Sequence, residues 1–507
     1  MKLFYAPLLE ALISHAESEP AGFHVPGHRY GEALKQKLIL NDAGHHPAEW
    51  FSAVMRLDVT ELSTTDDLHH PEASILEAQR LAARTFGADE SFFLVGGSTA
   101  GNLALLLALC EQPGDLVIVQ RNVHKSIING LKLAGASAVF LSPQIDPCTG
   151  LATIPSLQDV EEALRRYPEA KGVVLSNPNY YGMGIHLQAY AELIHRFQKP
   201  LVVDEAHGAH YGFHPELPPS ALSEGADAVV QSAHKTLPAL TMGAMLHVRG
   251  DRIRRDKLRQ SLAMIQSSSP SFPILASLDI SRAMIDALGG QLFEQGLGAA
   301  AMFRAWLRHS EFPIREAERT AVKEEAAARY ADPLRLVLYD SSERISGYEL
   351  QLRLERYGCY AEMADPRYVV LVFGVQTSQE DIRKLQHGVE AISIAMKEQE
   401  TNPPAGSAAV LDASGVTYQP QSMSEPVSFT RDRYAQADSK RMKLEHAVDC
   451  LSAEMVTPYP PGIVILYPGE RITAAIAGQI TRLASMGAKF QGASDPSMAT
   501  IEVYKGQ

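Results

Sequence analysis

The chain has 507 residues, a net charge of −13 and a hydrophobic content of 46%. These values are typical of a globular protein with two to four domains. The acidic balance argues against a nucleic-acid-binding protein, which would carry a basic patch or stripe, and no apolar run approaches the length of a membrane span.

The N-terminus and the cysteines indicate a cytoplasmic protein. The first 22 residues predict an amphipathic helix and not a signal peptide, because Glu10, His15 and Glu17 interrupt the apolar pattern. The four cysteines lie singly at positions 110, 148, 359 and 450. Without close pairs they predict neither a zinc site nor a disulfide framework, as expected in a reducing cytosol.

Strand and helix patterns alternate from about residue 75 to residue 250. A helix is predicted over 74–86, beginning with a capping box formed by Ser74 and Glu77. Six short apolar runs predict parallel strands that are buried on both faces; they lie at 91–95, 116–120, 138–142, 172–176, 201–205 and 228–232. Because helical patterns separate several of these strands, we expect an α/β fold with a mostly parallel sheet.

Composition and pattern divide the chain into five segments. The helical segment 1–22 precedes a major domain at 23–290, and a smaller α+β domain follows at 291–398, with strands predicted in LRLVLYD and YVVLVFG. Residues 399–428 are rich in proline, serine and glycine and predict a linker. The C-terminal domain, 429–507, contains a predicted strand pair within 455–472 and then a short helix.

The turn GGSTAGN follows the first predicted strand. Ser98 and Thr99 offer hydroxyl groups and backbone N–H groups at the start of a helix, which is a suitable cradle for a phosphate. A tight turn with a helix N-cap explains the same residues.

The motif VVDEAHGAH (202–210) begins within the strand predicted at 201–205 and continues beyond it. Asp204 can accept a charge-assisted hydrogen bond from a cationic ring nitrogen, although a helix cap or an internal salt bridge would also explain it. His207, His210 and His214 could bind a metal, but no acidic ligand stands at a standard spacing from them. We therefore predict no metal site.

A single lysine lies within an otherwise apolar stretch, 228–248. Lys235 follows the strand at 228–232 together with Ser232 and His234. Its side chain could extend to water from a helix end. Alternatively the amine is kept out of water, because burial lowers the pKa of a lysine and favours a neutral nucleophile that can form a Schiff base.

Another histidine, His124, follows the strand at 116–120, where an aromatic ring can stack on a flat cofactor. Ligands of doubly wound sheets bind beyond the carboxyl ends of the strands. A phosphate cradle, a carboxylate for a ring nitrogen, a stacking ring and a lysine for an aldehyde are together what pyridoxal 5′-phosphate requires. The sequence therefore predicts this cofactor.

Long stretches of the chain resemble the Orn/Lys/Arg decarboxylase family. They are FHVPGH (23–28), DVTELSTTDDLHHPE (58–72), AQRLAARTFGADESFFLVGGSTAGN (78–102), RNVHKSI (121–127), VVDEAHGAH (202–210), SAHKTLPALTMGA (232–244) and TPYPPGIVILYPGE (457–470). The resemblance implies an aspartate-aminotransferase-like fold, with a mostly parallel seven-stranded sheet flanked by helices and with smaller α+β C-terminal domains.

The resemblance also implies roles for single residues. Lys235 would hold the cofactor aldehyde, and Asp204 would pair with the pyridinium nitrogen. His124 and Ala206 would contact opposite faces of the ring, and His207 would lie near the ring oxygen or near Asp204. The phosphate would be held by Ser98, Thr99, Ala100, Ser232 and His234. Lys235 or His234 would return a proton to the α-carbon.

The implied reaction is α-decarboxylation of a basic amino acid in polyamine biosynthesis, with arginine favoured over lysine and ornithine. An aminotransferase or an aldolase on the same fold is the alternative, since a fold does not determine a function. Asp66, Asp67 and Glu454 are candidates for binding the distal charge of the substrate. Because the neighbouring subunit helps to build each site in this family, we expect a homodimer or a higher homo-oligomer. The large inducible members carry a response-regulator-like domain before the FHVPGH motif, and we predict a short form without it.

Overall fold

The computed structural model of the chain describes residues 3–36, 46–317, 329–401, 422–429, 438–459, 464–485 and 487–505. Most of the predicted linker, residues 402–421, lies outside the described residues. None of the described helices is long and apolar enough to cross a membrane.

The described elements alternate between helix and strand through the first half of the chain. The helices are α1 (Pro7–Glu17), α2 (Pro47–Leu57), α3 (Ser74–Phe86), α4 (Gly97–Leu109), α5 (Lys125–Ala134), α6 (Leu157–Arg166), α7 (Gln188–Arg196), α8 (Ala233–Thr236), α9 (Arg255–Ile265), α10 (Phe272–Leu288), α11 (Gln291–Arg308), α12 (Gly347–Glu355), α13 (Gln379–Thr401) and α14 (Ala474–Ser485). The strands are β1 (Glu90–Leu94), β2 (Leu116–Gln120), β3 (Ser137–Leu141), β4 (Val173–Ser176), β5 (Met183–Ile185), β6 (Leu201–Asp204), β7 (Ala228–Gln231), β8 (Ala244–Val248), β9 (Ile314–Glu316), β10 (Arg329–Ala331), β11 (Arg335–Asp340), β12 (Met363–Ala364), β13 (Tyr368–Val372), β14 (Val427–Ser428), β15 (Ser439–Lys443), β16 (Pro458–Tyr459), β17 (Lys489–Phe490) and β18 (Thr500–Tyr504).

The six predicted strands are confirmed, with bounds that differ from the prediction by at most one residue; they are β1, β2, β3, β4, β6 and β7. All six are short and apolar, and their central residues are buried. Strand β8 was not predicted. It is fully buried and runs antiparallel to both of its neighbours, β1 and β7.

The chain divides into two compact units. The first contains the residues up to Leu109 together with Val202–His214 and Ser220–Leu292. The second contains Cys110–Leu201, Pro215–Pro219 and the residues from Phe293 onward.

In the first unit the strand order is β1-β8-β7-β6. Strands β6 and β7 are parallel, and β1 runs in the same direction because β1 and β7 are both antiparallel to β8. The register places Leu94 opposite Ala244, Gln231 opposite Met245 and Asp204 opposite Val230. The carboxyl ends of β1, β6 and β7 therefore lie at one edge, where candidate residues follow each strand.

Helix α4 packs tightly against this set of strands. A Cβ atom at Gly101 would lie 2.8 Å from Leu94 Cδ1 and 2.9 Å from Val230 Cγ1. Gly97, the first residue of α4, has φ of +71°, and its N–H donates to the Met242 carbonyl at 2.8 Å. Glycine at these two positions allows the turn after β1 to lead directly into the helix.

In the second unit the strand order is β4-β2-β3-β14. Strands β2, β3 and β4 are parallel, and β14 adds a short antiparallel edge strand. A separate antiparallel sheet, β12-β13-β11-β9, contains the two strands predicted in LRLVLYD and YVVLVFG.

The C-terminal residues form small strand pairs around a compact apolar core. Strand β15 pairs with β18, and β16 pairs with β17. A strand pair was predicted within 455–472, and the Val456 N–H donates to the Leu466 carbonyl oxygen there. Strand β16 lies in the same stretch, but its partner β17 comes after α14. Among the described residues of that stretch, a single antiparallel bridge joins Val456 to Leu466.

Candidate active site

Lys235 lies in α8, directly after β7. Its Nζ atom is 3.2 Å from Nε2 of His207, which follows β6. His207 is buried, and Lys235 is partly buried. The structure thus brings together two predicted site residues from neighbouring parallel strands, and it gives the amine an imidazole nitrogen as a hydrogen-bonding neighbour.

Asp204 is the last residue of β6, and its side chain is held by two neutral donors. Oδ2 accepts a hydrogen bond from Asn102 Nδ2 at 2.9 Å, and Oδ1 accepts one from the backbone N–H of Ala206 at 3.2 Å. The residue is only 6% exposed. Neutral donors orient the carboxylate without neutralising it, so it can still pair with a cation.

Asn102 is a site residue that the sequence analysis did not assign. It lies on α4 within an otherwise apolar run and is 1% exposed. A buried amide in such a helix needs hydrogen-bonding partners, and this signal was available in the motif GGSTAGN. Its partner Asp204 is 102 residues away, so the pairing itself could not be derived from local pattern.

Two hydroxyl groups near Lys235 have no partner. Ser232 Oγ and Thr236 Oγ1 are buried and make no hydrogen bond within the described part of the chain. An unsatisfied buried hydroxyl typically destabilises a protein by about 1–3 kcal/mol. Such groups indicate a polar ligand that would satisfy them. Ser232 was predicted to hold a phosphate; Thr236 was not.

The other predicted phosphate residues occupy the first turn of α4. Ser98 is partly buried, Thr99 is exposed and Ala100 is buried. The first N–H groups of a helix lack intrahelical acceptors, and the helix dipole favours an anion there. This turn and Ser232 follow β1 and β7, whose carboxyl ends lie at the same edge.

His234 is fixed by the strand that follows it. Its Nδ1 atom lies 2.9 Å from the Gly243 carbonyl oxygen, and its backbone N–H donates to the same oxygen at 3.1 Å. Because a carbonyl only accepts, Nδ1 carries the hydrogen. In the neutral ring, Nε2 is then an acceptor.

His124 lies in the second unit, at the end of the segment that follows β2. It is the N-cap of α5: its Nδ1 atom accepts from the Ser126 N–H at 3.3 Å and lies 2.8 Å from Ser126 Oγ. The ring is partly buried. Its stacking on a cofactor stays a prediction.

The described part of the chain contains no group of three or more His, Cys, Asp or Glu side chains that could hold a metal ion. His210, one of the three histidines considered for such a site, is fully buried and packs against Tyr211 with ring centroids 4.7 Å apart.

Asp66, a candidate for the distal charge, holds the start of α3. Its carboxylate accepts hydrogen bonds from the backbone N–H groups of Asp67, Glu72, Ala73 and Ile75 at 2.9–3.0 Å. The predicted capping box is wrong, since the N-cap is Ala73 without a side-chain cap and Ser74 lies inside the helix. Burial acts to raise the pKa of Asp66, but these backbone hydrogen bonds outweigh it and lower the pKa.

The other two candidates differ in how far their carboxylates are engaged. Asp67 Oδ1 accepts from the His69 N–H at 2.8 Å. Glu454, in the second unit, accepts from the backbone N–H groups of Ser494 and Glu502 at 2.7 and 2.8 Å and from Ser494 Oγ at 3.2 Å. Glu454 therefore links segments of its own domain, and Asp67 is the candidate with the freer carboxylate.

We predict that Asp66→Ala lowers the free energy of unfolding by about 1–3 kcal/mol, because several N–H groups at the start of α3 lose their acceptor. Chemical denaturation at neutral pH measures this difference. A carboxyl whose pKa is lowered on folding stabilises the protein above its unfolded pKa, and this contribution is lost as the pH falls. The difference between wild type and Asp66→Ala should therefore shrink in acid. Equal stability at neutral pH would contradict the role.

Glu205 continues the chain after Asp204 and belongs to a buried network. Its carboxylate accepts from Gln231 Nε2 at 2.7 Å, from the Ala221 N–H at 2.8 Å and from Ser220 Oγ at 3.3 Å. Gln231 Oε1 lies 3.2 Å from Nε2 of His247. Burial raises the pKa of Glu205 to about 8 and lowers the pKa of His247 to about 3, so both groups are neutral at physiological pH.

We predict that Glu205 makes the unfolding free energy depend on pH. A raised pKa means that the folded state binds the proton more tightly. The resulting stability is complete below the unfolded pKa of about 4.5 and is lost progressively as the pH rises to about 8. The expected slope is up to about 1.4 kcal/mol per pH unit. Glu205→Gln should flatten the dependence in urea titrations across this range, and an unchanged slope would contradict the assignment.

Comparisons with known proteins agree on one family. A sequence profile described as "Orn/Lys/Arg decarboxylase, major domain" matches residues 6–381, and the profile of the C-terminal domain matches residues 415–495. The arginine decarboxylase of Bacillus subtilis is 33% identical over 99% of this chain and 98% of its own. The uncharacterized protein YaaO of the same organism is 41% identical over 96% of each chain.

Solved structures share the fold. The constitutive lysine decarboxylase of Escherichia coli aligns with a TM-score of 0.78 and 20% identity over 99% of this chain and 82% of that chain. The serine palmitoyltransferase of Sphingomonas wittichii aligns with a TM-score of 0.51 and 18% identity over 69% of this chain and 82% of that chain. The predicted fold class is confirmed by these similarities.

Proposed function

Because the chain belongs to the Orn/Lys/Arg decarboxylase family, we propose that it removes the α-carboxyl group of arginine, giving agmatine and CO2, with pyridoxal 5′-phosphate as cofactor. Polyamine biosynthesis is the metabolic use that this product suggests. The similarity to the B. subtilis arginine decarboxylase, which extends over nearly the whole length of both chains, is the observation that carries the proposal.

The residues at the edge of β1, β6 and β7 fit the cofactor. A phosphate would satisfy Ser232 Oγ and Thr236 Oγ1, which otherwise have no hydrogen bond within the described part of the chain. The N–H groups at the first turn of α4, beside Ser98, Thr99 and Ala100, would also favour binding of the phosphate. Asp204 supplies a carboxylate for a ring nitrogen, and Lys235 supplies an amine for an aldehyde.

When bound, pyridoxal phosphate supplies an aldehyde for the substrate amine and a ring that accepts the electrons left when CO2 departs. Asp204 keeps the ring nitrogen protonated, and Asn102 and the Ala206 N–H hold this carboxylate in place. His207 Nε2 lies 3.2 Å from Lys235 Nζ, where a neutral imidazole would take a proton from the ammonium and leave a neutral, nucleophilic amine. Lys235 Nζ would return a proton to the α-carbon. His234 would do so from Nε2 only when its ring is doubly protonated, because Nδ1 carries the hydrogen of the neutral ring.

Two other roles rest on the family resemblance. His124 stacks on one face of the ring and Ala206 packs on the other, because only a small side chain leaves room there. The substrate's distal charge is bound by a carboxylate, and Asp67 is the first candidate because its carboxylate accepts fewer hydrogen bonds than those of Asp66 and Glu454. A guanidinium group favours a paired hydrogen bond to a carboxylate, whereas an ammonium accepts less directional partners.

Sequence identity favours arginine over lysine. The arginine decarboxylase of B. subtilis is 33% identical over 99% of this chain, whereas the constitutive lysine decarboxylase of E. coli is 22% identical over 96% of it. We also propose that the enzyme acts in the cytoplasm as a homodimer or a higher homo-oligomer with shared active sites. Light scattering coupled to size-exclusion chromatography tests the assembly, and a monomer that is fully active at all concentrations would contradict it.

Initial rates with arginine, lysine, ornithine and leucine test the substrate assignment. We expect kcat/KM for arginine to exceed that for each other amino acid by at least about tenfold. A larger value for lysine or ornithine would reassign the substrate within the family. Formation of a 2-oxo acid or an aldehyde without CO2 would instead support the aminotransferase or the aldolase.

A further inference from the structure

The C-terminal domain, predicted over 429–507 and matched by a family profile at residues 415–495, contacts the segment that carries His124. This segment joins β2 to α5 and consists of residues 121–124. Asn122 and Val123 are buried, and Asn122 Nδ2 donates to the Thr153 carbonyl at 3.2 Å. His124 ends the segment, so the position of its ring depends on the few residues between the strand and the helix.

Tyr467 of the C-terminal domain binds the first residue of this segment. Its hydroxyl donates to the Arg121 carbonyl oxygen at 2.7 Å, although the two residues are 346 positions apart. The Tyr467 ring is fully buried and stacks on Phe140, with ring centroids 4.3 Å apart and an angle of 10° between the planes. The hydroxyl is therefore held by packing in the orientation that the hydrogen bond requires.

Glu470 binds the side chain of the same residue. The Arg121 guanidinium forms an ion pair with the Glu470 carboxylate and lies 5.4 Å from the centroid of the Tyr467 ring. Both charged side chains are largely buried, at 12% and 18% exposure. Such a pair is screened less by solvent than a surface pair and depends strongly on both partners.

Tyr467 and Glu470 are fixed relative to each other by a tight turn. The sequence YPGE spans 467–470, and the Glu470 N–H donates to the Tyr467 carbonyl at 3.1 Å. Gly469 has φ of +82°, as a type II turn with proline before glycine requires. Glu470 Oε2 also accepts from the Tyr467 N–H at 3.1 Å. The two contacts to Arg121 are thus presented by one preorganised element.

A second contact lies on the other side of His124. Lys125, the first residue of α5, donates from Nζ to Oε1 of Gln491, which also belongs to the C-terminal domain. The Gln491 N–H donates to the Thr457 carbonyl at 2.9 Å, so Gln491 is anchored within that domain. The domain therefore contacts the chain both before and after His124.

We propose that Tyr467 and Glu470 are positioning residues, through which the C-terminal domain fixes the main chain at Arg121 and so holds His124 for stacking on the cofactor. This inference rests on the proposed function, because it assumes the role of His124. It assigns the C-terminal domain a part in cofactor binding that is distinct from any contact of its own with the substrate.

The test is a titration of the apoprotein with pyridoxal 5′-phosphate alone. Absorbance and near-UV circular dichroism monitor the binding and give the Kd. Tyr467→Phe removes one hydrogen bond and keeps the ring, and Glu470→Gln removes the charge and keeps the shape. We expect each variant to raise the Kd for the cofactor by about threefold to tenfold, since a lost hydrogen bond is worth about 0.5–1.5 kcal/mol and 1.4 kcal/mol is a factor of ten.

Two controls separate positioning from loss of stability. Asp495 binds Ser497 and Thr500 within the same domain, so Asp495→Asn should lower the melting temperature without changing the Kd. In the double variant Tyr467→Phe, His124→Ala, the loss of cofactor-binding free energy should be smaller than the sum of the two single losses. Residues that act through one another have non-additive effects. Additive effects, or an equal rise in Kd for Asp495→Asn, would overturn the inference.

The same titration distinguishes this inference from the proposed function. If the wild-type chain does not bind the cofactor, both the proposed function and the positioning role are contradicted. A wild-type chain that binds it, with His124→Ala weakened and with Tyr467→Phe and Glu470→Gln unchanged, would leave the proposed function standing and overturn the positioning role alone.

Discussion

Replacing Lys235 by alanine is expected to leave the chain folded and to lower the rate of amine formation by at least about 10⁴-fold. The amine at this position is the nucleophile for the cofactor aldehyde, and no other group at the site can replace a covalent catalyst. Its neighbour His207, 3.2 Å from Nζ, can accept or donate a proton but cannot take over the covalent role of the lysine.

Turnover of arginine and the visible absorbance band of the lysine-bound cofactor measure this effect together. Both should disappear in Lys235→Ala, while circular dichroism and the urea midpoint stay close to those of the wild type. Lys384→Ala, which removes an exposed lysine paired with Glu380, is the matched control and should retain both signals. Turnover near the wild-type rate in Lys235→Ala would refute the assignment.

Replacing Asp204 by alanine is expected to lower kcat by at least about 10³-fold and to weaken cofactor binding. The carboxylate keeps the ring nitrogen protonated, and without it the ring is a poor acceptor of electrons. Asn102→Ala should act in the same direction but more weakly, by about tenfold, because it removes only one of the hydrogen bonds that hold Asp204.

Steady-state kinetics and cofactor titration separate the two parts of this prediction. Asp204→Ala should change kcat even at saturating cofactor, whereas a residue that only binds the cofactor would be rescued by excess. Normal turnover of Asp204→Ala would rule out the role at the ring nitrogen.

Local pattern was sufficient for six strands of the major domain and for the residues at their ends, although it missed β8. Short apolar runs determine β1, β2, β3, β4, β6 and β7, because a strand buried on both faces needs apolar side chains throughout. Asp204 ends one of these strands and Lys235 follows another, so the chain direction places them at one edge. In the structure Lys235 Nζ lies 3.2 Å from Nε2 of His207, which follows the strand that Asp204 ends.

Contacts between residues distant in sequence were beyond the reach of local pattern. Asp66 replaces the predicted capping box of α3 because the chain before the helix folds back over its first turn. Asn102 binds a carboxylate about a hundred positions away, and Tyr467 binds Arg121 across most of the chain. Strand and helix patterns, with periods of two and 3.6 residues, relate only residues that are close in sequence. Pairs this far apart are therefore seen only in the tertiary structure.

Glu205 is another case in which the surroundings determine the chemistry. In the motif VVDEAHGAH it is indistinguishable from an ordinary carboxylate, and no role was predicted for it. Its partners Gln231 and Ala221 come from a neighbouring strand and a later turn. Burial raises its pKa to about 8, although the hydrogen bonds from Gln231 and Ala221 act to lower it.

The most direct test of the proposed reaction is a mass balance on arginine with the cofactor-loaded enzyme. We predict that agmatine and CO2 form in equal amounts, that their sum accounts for the arginine consumed, and that no 2-oxo acid appears. No CO2 from arginine, lysine or ornithine, although the cofactor is bound, would contradict decarboxylation.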